Sequence, residues 1–157
     1  MVRILIVFLI FLSLSLTSSL GGELGDEINW RTYADGIYEI KETKKPGMIV
    51  FHRDNSNSCV RLGNEMRGYK QLIKRSEKFV MISCNGENDP QSEIFDYDGT
   101  YVPKIFFVYP NNTISWTTVS SQLNYQYRYY YRSAKQLNER MRDFLKAVKK
   151  EHIESEL

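Results

Sequence analysis

Three short runs constrain this chain more than anything else in it: MIVF at 48–51, KFVMISC at 78–84 and KIFFVY at 104–109. MIVF is continuously apolar, the other two runs are apolar apart from Lys78, Ser83 and Lys104, and all three are rich in strand formers with no regular polar alternation. That is the pattern of a strand buried on both faces of a central sheet. A sheet covered on both sides needs helices to cover it, so the chain between the runs must supply amphipathic helices.

It does. Trp30, Tyr33, Ala34, Ile37 and Ile40 recur at spacings of three and four, which predicts a helix from Asn29 that Pro46 and Gly47 stop. Leu62, Met66, Tyr69, Leu72 and Ile73 fall on one face of a second helix, weakened at Gly63 and Gly68 by about 1 kcal/mol each relative to alanine. Residues 85–101 are polar and turn-rich, with Asn85-Gly86 and Asp98-Gly99 as punctuation. After the third run, Asn111-Asn112 predicts a turn and TISWTT a fourth strand pairing back as a hairpin. The closing helix is announced by Ser133 with Gln136 three residues later, a capping box, and by the stripe Leu137, Met141, Phe144, Leu145, Val148. The expectation is an α/β fold: a central mixed four-stranded sheet flanked by helices.

The ends speak to compartment. Arg3 precedes an apolar core at 4–16, too short for the roughly 20 residues of a comfortable membrane span, and the small residues of TSSLGGE follow. Residues 1–20 read as a secretory signal that is removed, the alternative being an uncleaved anchor. HIESEL at the other end places Glu154, Ser155, Glu156 and Leu157 where a Lys-Asp-Glu-Leu-like retrieval address stands. Between them, 21–153 reads as a single domain of ordinary size. The expected location is the lumen of the endoplasmic reticulum, with some secretion left open. Lysine and arginine number 21 against 19 acidic residues, so no charge excess selects nucleic acid or an anionic membrane. Two cysteines, Cys59 and Cys84, are too few for a disulfide scaffold, and the core must carry the fold.

FHRDNSNSCVRL at 51–62 is built like the presenting loop of a reactive thiol, a strand end followed by small polar residues at a helix start, yet it holds one cysteine, and late. Together with GDEINW, Asp35-Gly36, KKPGMIVFH, YVPKIFFVYP and the terminal SEL, it resembles the small endoplasmic reticulum members of the protein disulfide isomerase family, namely thioredoxin domain-containing protein 12 and the anterior gradient proteins. The likeness runs over nearly the whole chain after the leader and implies the thioredoxin fold.

In that family the stretch reads Cys-x-x-Cys, or Cys-x-x-Ser in the anterior gradient branch. Laid onto this chain, Ser56 takes the nucleophile's position and Cys59 the resolving one. A dithiol enzyme needs an exposed thiolate at the helix N-terminus to attack a substrate disulfide, and a second thiol to release it. A serine hydroxyl without a dedicated base does not replace that thiolate. Ser56 is, however, a strong N-cap. Cys59 is then either a buried small apolar side chain or a slow accessible thiol able to exchange with a client or with glutathione. Cys84, at the end of the second run, reads as a buried free thiol, with a bridge to Cys59 as the less favoured alternative. The resemblance further implies a cis bond at Val102-Pro103 and a substrate-docking role for both residues.

His52 and His152 with two cysteines supply no ligand pair at metal spacing, so no metal is expected. NYQYRYYYRS at 124–133 reads as an edge strand and loop whose tyrosines half bury against the last helix, or else as a client-binding surface. Asn111 opens an N-glycosylation sequon, and Asn57 a weaker one ending in Cys59. The sequence thus points to a lumenal thioredoxin-like protein that assists folding or retention of secretory clients without efficient dithiol turnover. The alternative is a thiol-disulfide oxidoreductase working through Cys59. Secretory clients and a retrieval receptor are the expected partners, no cofactor is needed unless glutathione serves as redox partner, and homodimerisation stays open.

Overall fold

The computed structural model describes residues 19–157, so all but the last two residues of the expected leader lie outside it. The elements follow in the order β1 (Trp30–Arg31), α1 (Tyr33–Thr43), β2 (Gly47–Phe51), α2 (Asn57–Met66), α3 (Lys70–Ser76), β3 (Val80–Cys84), β4 (Lys104–Val108), β5 (Ile114–Ser115) and α4 (Ala134–Ser155). The strands form one mixed sheet in the order β1-β3-β2-β4-β5. β3 runs parallel to both β1 and β2, whereas β4 is antiparallel to β2 and β5 to β4.

The three apolar runs are the three central strands, and every residue in them is buried. Alternation sorts their side chains onto two faces. Met48, Val50, Met81, Ile105 and Phe107 join a cluster completed by Leu62 and Met66 of α2, Leu72 of α3, and Leu137, Met141 and Phe144 of α4. Ile49, Phe51, Val80, Ile82, Cys84, Phe106 and Val108 point the other way, into a cluster shared with Ile40 of α1 and with Phe95 and Tyr129. Each large side chain so buried contributes about 1.5–3 kcal/mol.

Local structure departs from expectation in four places. The sheet has a fifth strand because the first helix starts later than its stripe suggests. The Thr32 side chain accepts the Asp35 amide at 3.2 Å and caps the helix at Tyr33, which leaves Trp30 and Arg31 extended and paired with Met81 and Ile82. The second stripe is divided between two helices. Arg67 leaves helical geometry and Gly68 takes φ 73°, a left-handed conformation natural only to glycine, before the chain turns into α3. β5 is only two residues long, because Thr118 donates back to the Ser115 carbonyl and bends the chain away. The tyrosine segment is irregular rather than an edge strand: Tyr129 and Tyr131 are buried in opposite clusters, while Tyr125 and Tyr127 remain exposed.

α4 opens as its sequence predicts, with the Gln136 amide donating to Ser133 Oγ at 3.2 Å. Its last turn carries Glu154 and Ser155, and all four residues of the retrieval-like tail are exposed. At the other end of the chain, a 3-10 turn at Gly22–Leu24 packs so closely on α2 that a Cβ on Gly63 would stand 1.8 Å from the Glu23 carbonyl oxygen. Glycine at 63 weakens the helix but permits this contact between α2 and the N-terminal turn.

Candidate functional site

The parallel pairing of β2 with β3 and the antiparallel pairing of β2 with β4 bring three segments to one sheet edge. Phe51 pairs with both Cys84 and Lys104. One step beyond lie His52–Ser56 leading into α2, Asn85–Asp89 leaving β3, and Val102-Pro103 entering β4. The Val102-Pro103 bond is cis.

Ser56 is the cap of α2. Its backbone is extended, at φ −88° and ψ 119°, and its Oγ accepts the Cys59 amide at 3.4 Å. Cys59 follows within the first turn and is completely buried. Its sulfur accepts the Arg53 backbone N–H at 3.5 Å. The hydroxyl at the front is partly exposed, whereas the thiol behind it is buried.

Arg53 closes the loop. Its guanidinium pairs with Asp89 at 2.5 Å and donates to the His52 carbonyl at 2.7 Å and the Cys84 carbonyl at 3.4 Å, while Asp89 also accepts the Gly86 amide at 2.9 Å. This latch ties the loop after β3 over the strand end that leads to Ser56. The two partners are 36 residues apart and nothing in their spacing announces the pair.

His52 takes no part in a nucleophilic arrangement. It is fully buried, and its Nε2 lies 2.7 Å from Ser83 Oγ. The Ser83 hydroxyl donates to the Leu20 carbonyl, so Ser83 accepts from His52 and Nε2 carries the ring proton. Nδ1 is then the bare acceptor and has no hydrogen-bond partner among the described residues. Burial holds the ring pKa below its ordinary value, against the opposing pull of Asp54. The ring is therefore neutral and oriented by Ser83, and among the described residues no hydrogen bond joins it to Ser56.

Cys84 and Cys59 are both free and buried. They share a sheet edge but not a face: Cys84 sits in the cluster with Ile40 of α1, and α2 packs Leu62 and Met66 into the other. Cys84 thus points to the face of the sheet away from the one on which α2, the helix carrying Cys59, packs Leu62 and Met66. Burial raises the Cys84 pKa far above the ordinary thiol range, with Asp89 adding to the effect and Arg53 opposing it. Among the described residues no group of three or more His, Cys, Asp or Glu side chains could hold a metal ion.

The outer rim of the edge is aromatic. Tyr101, just before Val102, stacks edge-on against Tyr127 at 5.1 Å and lies 6.5 Å from Tyr130, whose hydroxyl accepts from Arg61 of α2 at 2.7 Å. Beneath them Lys104, 1 % exposed, gathers the connection: Nζ donates to the Phe95 and Gly99 carbonyls, pairs with Asp96 at 3.3 Å and Asp98 at 3.5 Å, and sits 4.5 Å over the Tyr101 ring. Sequence reasoning placed Ser56, Cys59, Val102 and Pro103 here. It missed the Lys104 anchor, which a continuous apolar strand pattern hides.

A sheet edge at which a capped helix start faces a cis-proline defines the thioredoxin class, and the family model described as thioredoxin-like matches residues 29–110. Among curated proteins, the chain is 31% identical to anterior gradient protein 2-B of Xenopus laevis, over 81% of this chain and 77% of that protein. It is 30% identical to the anterior gradient protein 2 homolog of Homo sapiens, over 81% and 72%, and 26% identical to anterior gradient protein 3 of Mus musculus, over 81% and 77%. The chain belongs to the anterior gradient proteins, thioredoxin-like members of the protein disulfide isomerase family.

Proposed function

We propose that the protein works in the lumen of the endoplasmic reticulum, where it assists folding or retention of secretory clients by noncovalent binding, without efficient dithiol turnover. The observation that carries this reading is the pairing of Ser56 with Cys59: the exposed position holds a helix cap, and the thiol behind it is 0% exposed. Thiol exchange requires an accessible thiolate, and no such group stands at this edge. Lumenal residence draws support from the anterior gradient relatives and from the leader-like run at 4–16. Glu154, Ser155, Glu156 and Leu157 are exposed for a retrieval receptor.

Client binding falls to the rim. Val102 and Tyr130 are half-buried and Tyr127 is exposed, which gives large amphipathic contact area beside Pro103. An extended peptide laid there would meet these side chains at the end of the sheet. No cofactor enters this scheme, and glutathione would matter only if Cys59 reacted.

The test is suppression of aggregation of a reduced, unfolded secretory protein, followed by light scattering, alongside glutathione-coupled disulfide reduction. Tyr127→Ala combined with Val102→Ser should weaken suppression several-fold, Cys59→Ala should leave it unchanged, and wild-type protein should show no reductase turnover. Turnover that disappears in Cys59→Ala would replace this reading with the oxidoreductase.

A further inference from the structure

We propose that Asn111 is a site of N-linked glycosylation, an inference that rests on the lumenal location argued above. The sequon Asn111-Asn112-Thr113 occupies the turn joining β4 to β5. Tyr109 and Thr113 close that turn with a 2.8 Å backbone hydrogen bond, and Asn112, at φ 70°, supplies its left-handed residue. Asn111 is exposed. Its Oδ1 accepts both the Thr113 amide at 3.0 Å and the Thr113 hydroxyl at 2.6 Å. The carboxamide is thereby polarised at oxygen by the hydroxyl the sequon requires. Among the described residues no hydrogen bond engages Nδ2, so the nitrogen that would carry the sugar faces outward at no cost to the fold.

The reaction class is transfer of an oligosaccharide from a lipid pyrophosphate donor. Asn111 Nδ2 forms a bond to the sugar C1, the bond from C1 to the pyrophosphate oxygen breaks, the lipid pyrophosphate leaves with the electron pair, and the amide gives up one proton. No oxidant or reductant is involved.

Position makes the modification compatible with the rim. β4 starts beside Pro103 and ends toward Asn111, and Phe51 pairs with Lys104 at one end while Gly47 pairs with Val108 at the other. A five-residue strand spans about 17 Å, so the glycan leaves from the opposite end of the sheet to Ser56. Asn57, although exposed too, sits in a different setting. It opens α2, and the third residue of its sequon, Cys59, is buried and bonded into the cap and to the Arg53 amide.

The full chain, with its own leader, is expressed in microsome-supplemented translation and in secretory-competent cells, and its mass is compared before and after peptide N-glycosidase. Protease protection of the microsomal chain reports translocation separately. The expected result is one glycan per chain, released by the glycosidase with conversion of Asn111 to Asp, absent in Asn111→Gln and Thr113→Ala, and retained in Thr113→Ser and Asn57→Gln. A protected, leader-cleaved chain that carries no glycan, or one modified only at Asn57, overturns the proposal and leaves the lumenal reading standing. A chain that stays outside the microsomes overturns both.

Discussion

Ser56 Oγ accepts the Cys59 amide hydrogen at 3.4 Å, so the residue at the nucleophile's position is the cap of the helix that buries the remaining thiol. The motif has kept its architectural half, a helix start held at a sheet edge, and has exchanged its reactive half for a structural bond. Two substitutions separate these halves. Ser56→Ala removes the cap and should cost about 1 kcal/mol, read as a lower urea midpoint. Ser56→Cys should instead create a dithiol at the spacing its family uses, and glutathione-coupled disulfide reduction should rise well above the wild-type level. If Ser56→Cys folds and its new thiol bridges to Cys59 yet no turnover is gained, the rim, and not the missing thiol, blocks the reaction.

Lys104 is the second fixed point. It is buried among Phe95, Asp96, Asp98, Gly99 and Tyr101, and the Asp98 side chain is itself only 5% exposed. Lys104→Met leaves that carboxylate without its counter-charge, with only the Tyr101 hydroxyl and the Arg128 amide still donating to it, a loss of up to about 3–5 kcal/mol. Adding Asp98→Asn should recover a large part of it. Thermal unfolding of the two variants and the double mutant checks this, and additive losses would contradict the pairing.

His52 gives the fold a pH dependence whose sign is fixed by burial. The folded ring has a lower pKa than the unfolded one, near 6.5, so below that value the unfolded chain takes up a proton that the folded chain refuses. Stability is therefore complete above about pH 6.5, falls as the pH drops, and levels off once the folded ring's own pKa is passed. Urea midpoints between pH 7.5 and pH 5.5 should decline in the wild-type protein and stay nearly flat in His52→Asn. An equal slope in both would place the titration elsewhere.

Much of this was open to a reader of the sequence, because the information is local. The Ser133 and Ser56 caps follow from single side chains and their offsets, and the three apolar runs declare a covered sheet. What failed to show was decided by tertiary contact or by a competing local bond. The Trp30 stripe suggested a helix from Asn29, but the Thr32 cap starts it only at Tyr33 and frees an edge strand. Helix periodicity ran through 62–73 because Leu62, Met66 and Leu72 do share one core, although Gly68 breaks the axis between them. The face of Cys84 was hidden for a related reason: in a strand buried on both sides, polarity gives no clue to alternation, and only the packing of Ile82 and Cys84 toward α1 shows that Cys84 points away from the face covered by α2. The Arg53 to Asp89 latch and the Lys104 anchor join residues that only the folded sheet edge brings together.

The most direct test of the central claim is the alkylation rate of Cys59 in the folded, reduced protein between pH 6 and pH 9, followed by peptide mass spectrometry with Cys84 as the internal comparison. Both thiols are fully buried, so both should label slowly and together, at a rate that tracks global unfolding and rises with urea. Rapid labelling of Cys59 alone in the folded protein, with a pH midpoint well below the free-thiol value of about 8.5, would contradict the account and show a working monothiol.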